Sequence, residues 1–251
     1  MIENMLPYET MLEHILKTFL ASEVDAHNVF TEERPVKRVA LLVFASNSSL
    51  CGGFNANIIK QMQQAIDSYQ DLGKENIIIY PIGRKVAEKV QKLGFKPAGD
   101  FNELADKPNA AQCIEIAREV GTMYAKGEID RVEMIYHHFK SAGSQILTRK
   151  TIMPIDIESE LKRDHERDLT TNIVTRQAVE YLQQKGQQEH ETDISAKPLN
   201  DNFIVEPDMR TVLSKLIPKY AHLIIYTALL DSNASEHAAR MVAMQTATDN
   251  A

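Results

Sequence analysis

Features that would mark a secreted, membrane-spanning or nucleic-acid-binding protein are scarce in this 251-residue sequence. Its two cysteines, Cys51 and Cys113, are too few for the disulfide framework of a small secreted domain, and no C-x-x-C pair indicates a zinc site. The 28 basic and 35 acidic residues give a net charge of −7, which disfavours binding to phosphate backbones. No run approaches the roughly 20 apolar residues of a membrane helix, and no basic signal region opens the chain. We expect a globular protein of a reducing compartment.

Motifs for nucleotides and metal ions are also missing. Gly52 and Gly53 lie where a dinucleotide fingerprint would occur, but neither the G-x-G-x-x-G spacing nor a G-x-x-x-x-G-K-[ST] loop is present. His137 and His138 fall on opposite faces of a predicted strand and cannot chelate one ion together, and the other six histidines are scattered. We expect no cofactor and no metal ion in this chain.

Short apolar runs alternate with helical patterns along the first part of the chain. The runs at residues 38–45, 77–82 and 132–139 are rich in β-branched residues, as strands covered on both faces by helices require. A further strand is predicted at 145–155, at an edge of the sheet. This alternation predicts an α/β fold with a Rossmann-like, mostly parallel sheet flanked by helices.

Capping residues indicate where the helices begin and end. Asn55 and Asn109 are suited to cap the helices that follow them, and Gly83 opens another helix that Gly94 ends. Asp208 can cap a short helix near the end of the chain. Pro218 is predicted to break that helix and to start a new one that continues to residue 251.

The long C-terminal helix carries an apolar seam that requires a partner helix. Its members step by alternating four and three residues, as in a coiled coil. They are Leu216, Tyr220, Leu223, Thr227, Leu230, Ala234, His237, Met241, Met244 and Thr248. An amphipathic helix at residues 7–22 is the natural partner, and we expect the two terminal helices to pack together outside the sheet.

Cys51 raises an alternative, enzymatic interpretation. It stands in a turn between a strand and a helix, where a helix N-terminus can lower the pKa of a thiol. However, Asn57 stands where a phosphatase loop has Arg, and Ser49 stands where a nucleophile elbow has Gly. A packing role is favoured, and a stand-alone thiol-dependent enzyme remains the alternative. A third hypothesis, a ligand-binding doubly wound domain, needs a pocket at the carboxyl ends of the strands.

Two segments resemble the signature sequences of a known family. The turn S-L-C-G-G-F-N at residues 49–55 and the helix A-S-E-H-A-A-R-M-V-A-M-Q-T-A-T-D-N-A at 234–251 are similar to those of the γ subunit of F-type ATP synthases. The segments F-I-V-E-P, L-I-P-K-Y and I-Y-T-A-L-L, between residues 203 and 230, follow that family in order and spacing. The resemblance extends from about residue 7 to residue 251 and is strongest near the end.

The resemblance implies a central-stalk rotor without a catalytic site of its own. In that family the terminal helices form an antiparallel coiled coil that turns inside a ring of α and β subunits, and rotation couples proton flow to ATP synthesis on β. The implied partners are the α, β and ε subunits and the membrane ring. The implied location is peripheral, on the cytoplasmic side of the bacterial inner membrane.

The resemblance also divides the chain and assigns contact residues. Residues 1–22 would be a remnant of the N-terminal stalk helix, 38–155 the α/β domain, and 203–251 an incomplete C-terminal stalk helix. Residues 156–202 form an insertion that is longer than the usual connection, and their acidic composition, with 6 basic and 11 acidic residues, predicts mobility. The implied partner contacts are Leu50, Cys51, Gly52, Gly53, Phe54, Asn55, Glu236, His237, Arg240, Met241 and Met244.

Four departures from the family pattern lead to one more expectation. Both terminal helices are shorter than in the family, the insertion is longer, and Ser49 replaces the usual Gly. The chain therefore resembles a γ subunit truncated at both ends. Because the end of the long helix lacks its mate, we expect the isolated chain to self-associate through this helix or to fray beyond Ala234.

Overall fold

The structure is a computed structural model that describes residues 29–155 and 205–250, together with Tyr8, Met11, Leu12, Ile15 and Leu16. The acidic insertion predicted at 156–202 lies outside these residues. The strands are β1 (Val39–Phe44), β2 (Ile77–Ile82), β3 (Arg131–Ser141) and β4 (Ser144–Met153). The helices are α1 (Phe54–Asp67), α2 (Arg84–Lys92), α3 (Asn102–Asp106), α4 (Ala110–Ala125) and α5 (Met209–Asp249). Two short 3₁₀ helices, Gln70–Leu72 and Lys74–Asn76, precede β2.

The sheet has the order β2-β1-β3-β4. Strand β1 pairs in parallel with both β2 and β3, and β4 adds an antiparallel edge through a tight turn after β3. This arrangement confirms the predicted α/β fold with a mostly parallel sheet. The predicted edge strand is also confirmed, because β4 is the last strand in this order. It runs antiparallel to β3, since a short hairpin can join only antiparallel strands.

Helices cover both faces of the sheet. On one face, Ile58 and Met62 of α1 and Val86 of α2 pack against Val39, Leu41 and Val43 of β1. On the other face, α4 and α5 cover Ala40, Leu42 and Phe44. Every residue of β1 is almost completely buried, which explains why its sequence is apolar without alternation.

Helix α5 is continuous from Met209 to Asp249, with Pro218 inside it. The predicted break at Pro218 is therefore wrong. A proline inside a helix costs about 3 kcal/mol, but Leu213, Ile217 and Tyr220 around it are buried in the core. Burial of such side chains contributes about 1.5 to 3 kcal/mol each, which is enough to hold the helix together through the proline.

Helix α5 lies directly on β3 and beside α4, so its first part covers one face of the sheet. The early members of the predicted seam, such as Tyr220, Leu223 and Thr227, are buried there. Leu12 and Leu16 of the predicted N-terminal helix belong to the same buried cluster. In the parts of the chain described here, no helix has both the length and the apolar composition needed to cross a lipid bilayer.

The predicted starts of α2 and α4 are confirmed, whereas the predicted cap of α1 is wrong. Asn109 caps α4 by accepting hydrogen bonds from the amides of Ala111 and Gln112, as predicted. Gly83 precedes α2 with a φ of +105°, and a Cβ at this position would lie 2.3 Å from the carbonyl oxygen of Ala45, so only glycine fits. Asn55, however, does not cap α1, which begins at Phe54.

Candidate functional site

The loop from Ser46 to Gly53 joins β1 to α1 at the edge where the parallel strands end. Asn55 organises this loop instead of capping the helix. Its side-chain oxygen accepts a hydrogen bond from the Ser46 amide at 3.1 Å, and its Nδ2 donates to the Ser48 carbonyl oxygen at 3.0 Å and contacts Cys51 Sγ at 3.1 Å. One amide side chain thus fixes the loop at three points.

Leu50 forms the tip of the loop. Its φ of +67° lies in the left-handed region, which costs a residue with a side chain roughly 1 to 2 kcal/mol. The side chain is 77% exposed and gains little from packing within this chain. The loop therefore holds a large apolar residue in a strained conformation and presents it to solvent.

Cys51 is buried beneath this tip. In the described part of the chain, the Cys51 Sγ contacts three polar atoms. They are Asn55 Nδ2, Ser46 Oγ at 3.8 Å and the Ser48 carbonyl oxygen at 3.9 Å. None of these groups is a base that could activate a thiol. This environment favours a packing role for Cys51.

Helix α5 meets the loop near its exposed end. The Nη2 atom of Arg240 donates hydrogen bonds to Ser48 Oγ and to Glu236 Oε1, and the carboxylate of Glu236 is buried. Gly52 faces Ala243, because a Cβ added at Gly52 would lie 4.0 Å from Ala243 Cβ. The two segments that carry the family resemblance thus meet in one site.

The predicted contact residues divide by exposure within this site. The exposed residues are Leu50, Gly52, Gly53, His237, Met241 and Met244. The buried residues are Cys51, Phe54 and Glu236, and the partly buried ones are Asn55 and Arg240. The exposed members can touch a partner, whereas the buried members hold the loop and the helix in place. Val242, which follows Met241 and is 47% exposed, was not among the predicted contacts.

A cavity of about 260 Å³ lies at the carboxyl edge of the sheet beside this site. Its polar lining includes Ser46, Asp106, Ser232, Glu236 and Arg240. Its position is the one required by the ligand-binding hypothesis. However, Glu236 and Arg240 are paired with each other, and Asp106 accepts a hydrogen bond from Asn47. These charged groups therefore already have partners within the protein.

The two adjacent histidines of β3 face different layers, as their strand positions predict. His137 stacks on Phe54 with a centroid distance of 4.5 Å, and burial lowers its pKa to about 4. His138 Nδ1 lies 2.8 Å from Asp231 Oδ2 of α5. They do not form a metal-binding pair.

The sequence analysis also missed three polar residues of α5 that contact the domain: Asp231, Asn233 and Ser235. The side chain of Asn233 donates to the Ala105 carbonyl oxygen, and that of Ser235 donates to the His137 carbonyl oxygen. The signal was present as a polar run, D-S-N-A-S-E, that follows an apolar part of the helix. Such a run indicates contacts to polar groups of the domain.

Comparison with known proteins adds independent information. The profile of the family described as ATP synthase matches residues 1–251. The ATP synthase gamma chain of Phocaeicola vulgatus is 46% identical over 250 residues, which are 100% of this chain and 76% of that protein. The gamma chain of Bacteroides thetaiotaomicron is 43% identical over the same shares.

A similar fold occurs in the central stalk and c-ring structure of the Tetrahymena thermophila mitochondrial ATP synthase. That match has a TM-score of 0.54 and 17% identity, and it covers 98% of this chain and 99% of the other. At this identity the match concerns the fold alone. The level of identity to the bacterial proteins, over nearly the whole of this chain, is what assigns it: the chain belongs to the ATP synthase gamma chain family.

Proposed function

We propose that this chain is the central-stalk rotor subunit of an F-type ATP synthase and that its rotation couples proton flow through the membrane sector to ATP synthesis on the β subunits. The chain has no catalytic site of its own in this proposal. Its partners are the α and β subunits, the ε subunit and the membrane ring. It is peripheral to the cytoplasmic face of the bacterial inner membrane.

The observation that carries this proposal is the exposed end of α5. Beyond Ala238 the helix continues for 11 residues, about 16 Å, away from the buried core. Met241 and Met244 on this part are 61% and 57% exposed, and Ala243 between them faces Gly52 of the loop that presents Leu50. An apolar helix end and an apolar loop tip on one side of a domain are typical of a surface that binds a protein partner.

Assembly with α and β subunits tests this proposal. The chain is expressed with the α and β subunits of the same organism, and complexes are separated by size. We expect Leu50→Asp and Met244→Asp to weaken assembly, because a carboxylate in a buried apolar interface is destabilising. Val29→Asp is the matched control, because Val29 is also an exposed apolar residue but lies outside this site. Failure of the unchanged chain to assemble would contradict the proposal.

The enzymatic alternative makes the opposite prediction for Cys51. If Cys51 were a nucleophile, alkylation or Cys51→Ala would abolish an activity of this chain alone. For a stalk subunit we expect no turnover by the isolated chain, and substantial ATP hydrolysis by the complex that carries Cys51→Ala. Near-complete loss of hydrolysis with assembly intact would instead favour a chemical role for the thiol.

A further inference from the structure

Helix α5 leaves the α/β domain within a short stretch. Ser235, Glu236 and Ala238 are still buried, whereas Met241 and all described residues from 244 to 250 are exposed. If the exposed end and the domain turn together, any torque between them passes through residues 231–240. The side chains of this stretch make the last contacts between the helix and the domain before the exposed end.

Two polar contacts tie this stretch to strand β3. Asp231 Oδ2 lies 2.8 Å from His138 Nδ1, and the carboxylate is almost fully buried. One turn later, Ser235 Oγ donates to the His137 carbonyl oxygen at 3.2 Å. Both residues thus bind consecutive residues of one central strand.

Two other contacts tie the same stretch to different elements. Asn233 Nδ2 donates to the carbonyl oxygen of Ala105 in α3 at 2.8 Å. Arg240 Nη2 donates to Ser48 Oγ in the loop after β1. These contacts come from the part of the domain that lies beyond the carboxyl edge of the sheet.

The two pairs lie on opposite sides of the helix. Each residue of an α-helix advances by about 100°, so Asp231 and Ser235 are about 40° apart. By the same count, Asn233 and Arg240 lie about 200° and 180° from Asp231. Apolar packing holds one face of the helix against the sheet, and these hydrogen bonds add directional contacts on opposite sides of the helix.

We propose that Asp231, Asn233, Ser235 and Arg240 form a torsional clamp that prevents α5 from turning about its own axis relative to the α/β domain. This inference rests on the proposed function as a rotor and assigns the clamp residues a positioning role in it. Directional contacts on opposite sides of a cylinder resist rotation in both senses. The clamp thus makes the projecting helix and the domain one rigid body under torque.

The test measures torsional stiffness in the assembled complex. The catalytic head is immobilised, a probe is attached to the α/β domain, and the width of its angular fluctuations is recorded while the head is paused. The clamp variant is Asn233→Ala/Ser235→Ala, which removes one tie from each side and leaves the predicted partner contacts intact. We expect the stiffness to fall, because two of the four polar contacts are lost while only the apolar packing and the other two contacts remain. ATP hydrolysis without load should remain near that of the unchanged complex.

The matched control is Thr122→Ala/Ser214→Ala. Both hydroxyls donate to a carbonyl oxygen of their own helix, Thr122 to Arg118 and Ser214 to Thr211. Their loss therefore removes two hydrogen bonds but no contact between α5 and the domain. This control should keep the original stiffness. If the double clamp variant fails to assemble, the single variants Asn233→Ala and Ser235→Ala are measured in its place.

The outcomes separate the clamp from the proposed function. Unchanged stiffness in the assembled clamp variants, or an equal loss in the control, would overturn the clamp while leaving the rotor proposal intact. An unchanged complex that hydrolyses ATP without any rotation of this chain would overturn the proposed function itself.

Discussion

At the scale of single residues, His137 is the clearest case of a titratable group in an apolar setting. It is 3% exposed and stacked on Phe54, and burial lowers its pKa to about 4 from the ordinary 6.5. The unfolded chain therefore binds a proton between these two pH values while the folded chain does not. As the pH falls through this window, the free energy of unfolding should fall.

We predict that His137 alone lowers the free energy of unfolding by about 2 kcal/mol between pH 7 and pH 5. Urea unfolding of the chain and of His137→Phe at both pH values measures the effect. The variant should lose this part of the pH dependence, since phenylalanine keeps the stacking and does not titrate. His237→Gln, at an exposed histidine, should keep it. An identical pH dependence in His137→Phe would show that the buried imidazole does not titrate as described.

Asn55 shows why some residue roles could not be predicted from the sequence. Its position before a helical pattern suggested a cap, yet its side chain binds Ser46 and Ser48 in the loop before the helix. A capping preference is a local property. The loop conformation that offers Asn55 three alternative partners depends on the rest of the domain.

At the scale of elements, the cap of α4 is a direct test of local helix energetics. Asn109 accepts hydrogen bonds from two amides that have no partner within the helix. We predict that Asn109→Ala lowers the free energy of unfolding by about 1 kcal/mol. Gln112→Ala, at an exposed position of the first turn, is the control and should change stability by less than about 0.5 kcal/mol. Equal effects of the two substitutions would argue against the cap.

Pro218 provides the second test at this scale. Replacing it with alanine restores an amide donor inside α5, worth about 3 kcal/mol, but loosens the unfolded chain by up to about 1 kcal/mol. We predict that Pro218→Ala raises the free energy of unfolding by about 2 kcal/mol. Thermal and urea unfolding measure it, with Pro108→Ala in a loop as the control. A loss of stability would mean that α5 needs the proline for its packing.

The strands, most helices and the mostly parallel pairing of the sheet were predictable, because buried parallel strands and amphipathic helices impose strong patterns on the sequence. The path of α5 was not. Its seam fits a coiled coil, but the same spacing of apolar residues also fits burial on a sheet, as Tyr220 and Leu223 show. Periodicity indicates which side of a helix is buried, but it does not indicate whether that side packs on a sheet or on another helix.

At the scale of the whole molecule, the end of α5 exposes apolar side chains to solvent in the isolated chain. Met241, Val242 and Met244 are exposed together, and burying apolar area contributes about 25 cal/mol per Å². We predict that the isolated chain self-associates through this end or loses amide protection beyond Ala234. Light scattering over a range of concentrations and hydrogen exchange measure the two outcomes. A strict monomer with a protected helix to Ala247 would refute both.

A double variant tests whether self-association depends on this surface or on exposed apolar residues in general. Met241→Lys/Met244→Lys should abolish self-association, because two charges cannot be buried there at low cost. Val29→Lys/Ile146→Lys, at exposed apolar residues outside α5 and the loop, should leave it unchanged. Equal association of both variants would exclude the end of α5 as its site.

We propose that this chain turns as a rotor within an ATP synthase. The most direct measurement immobilises the catalytic head of the complex and follows a label on the α/β domain of this chain during ATP hydrolysis. We predict stepwise rotation in one direction that depends on ATP and stops when ATP is removed. A complex that hydrolyses ATP while the label stays still would contradict the account.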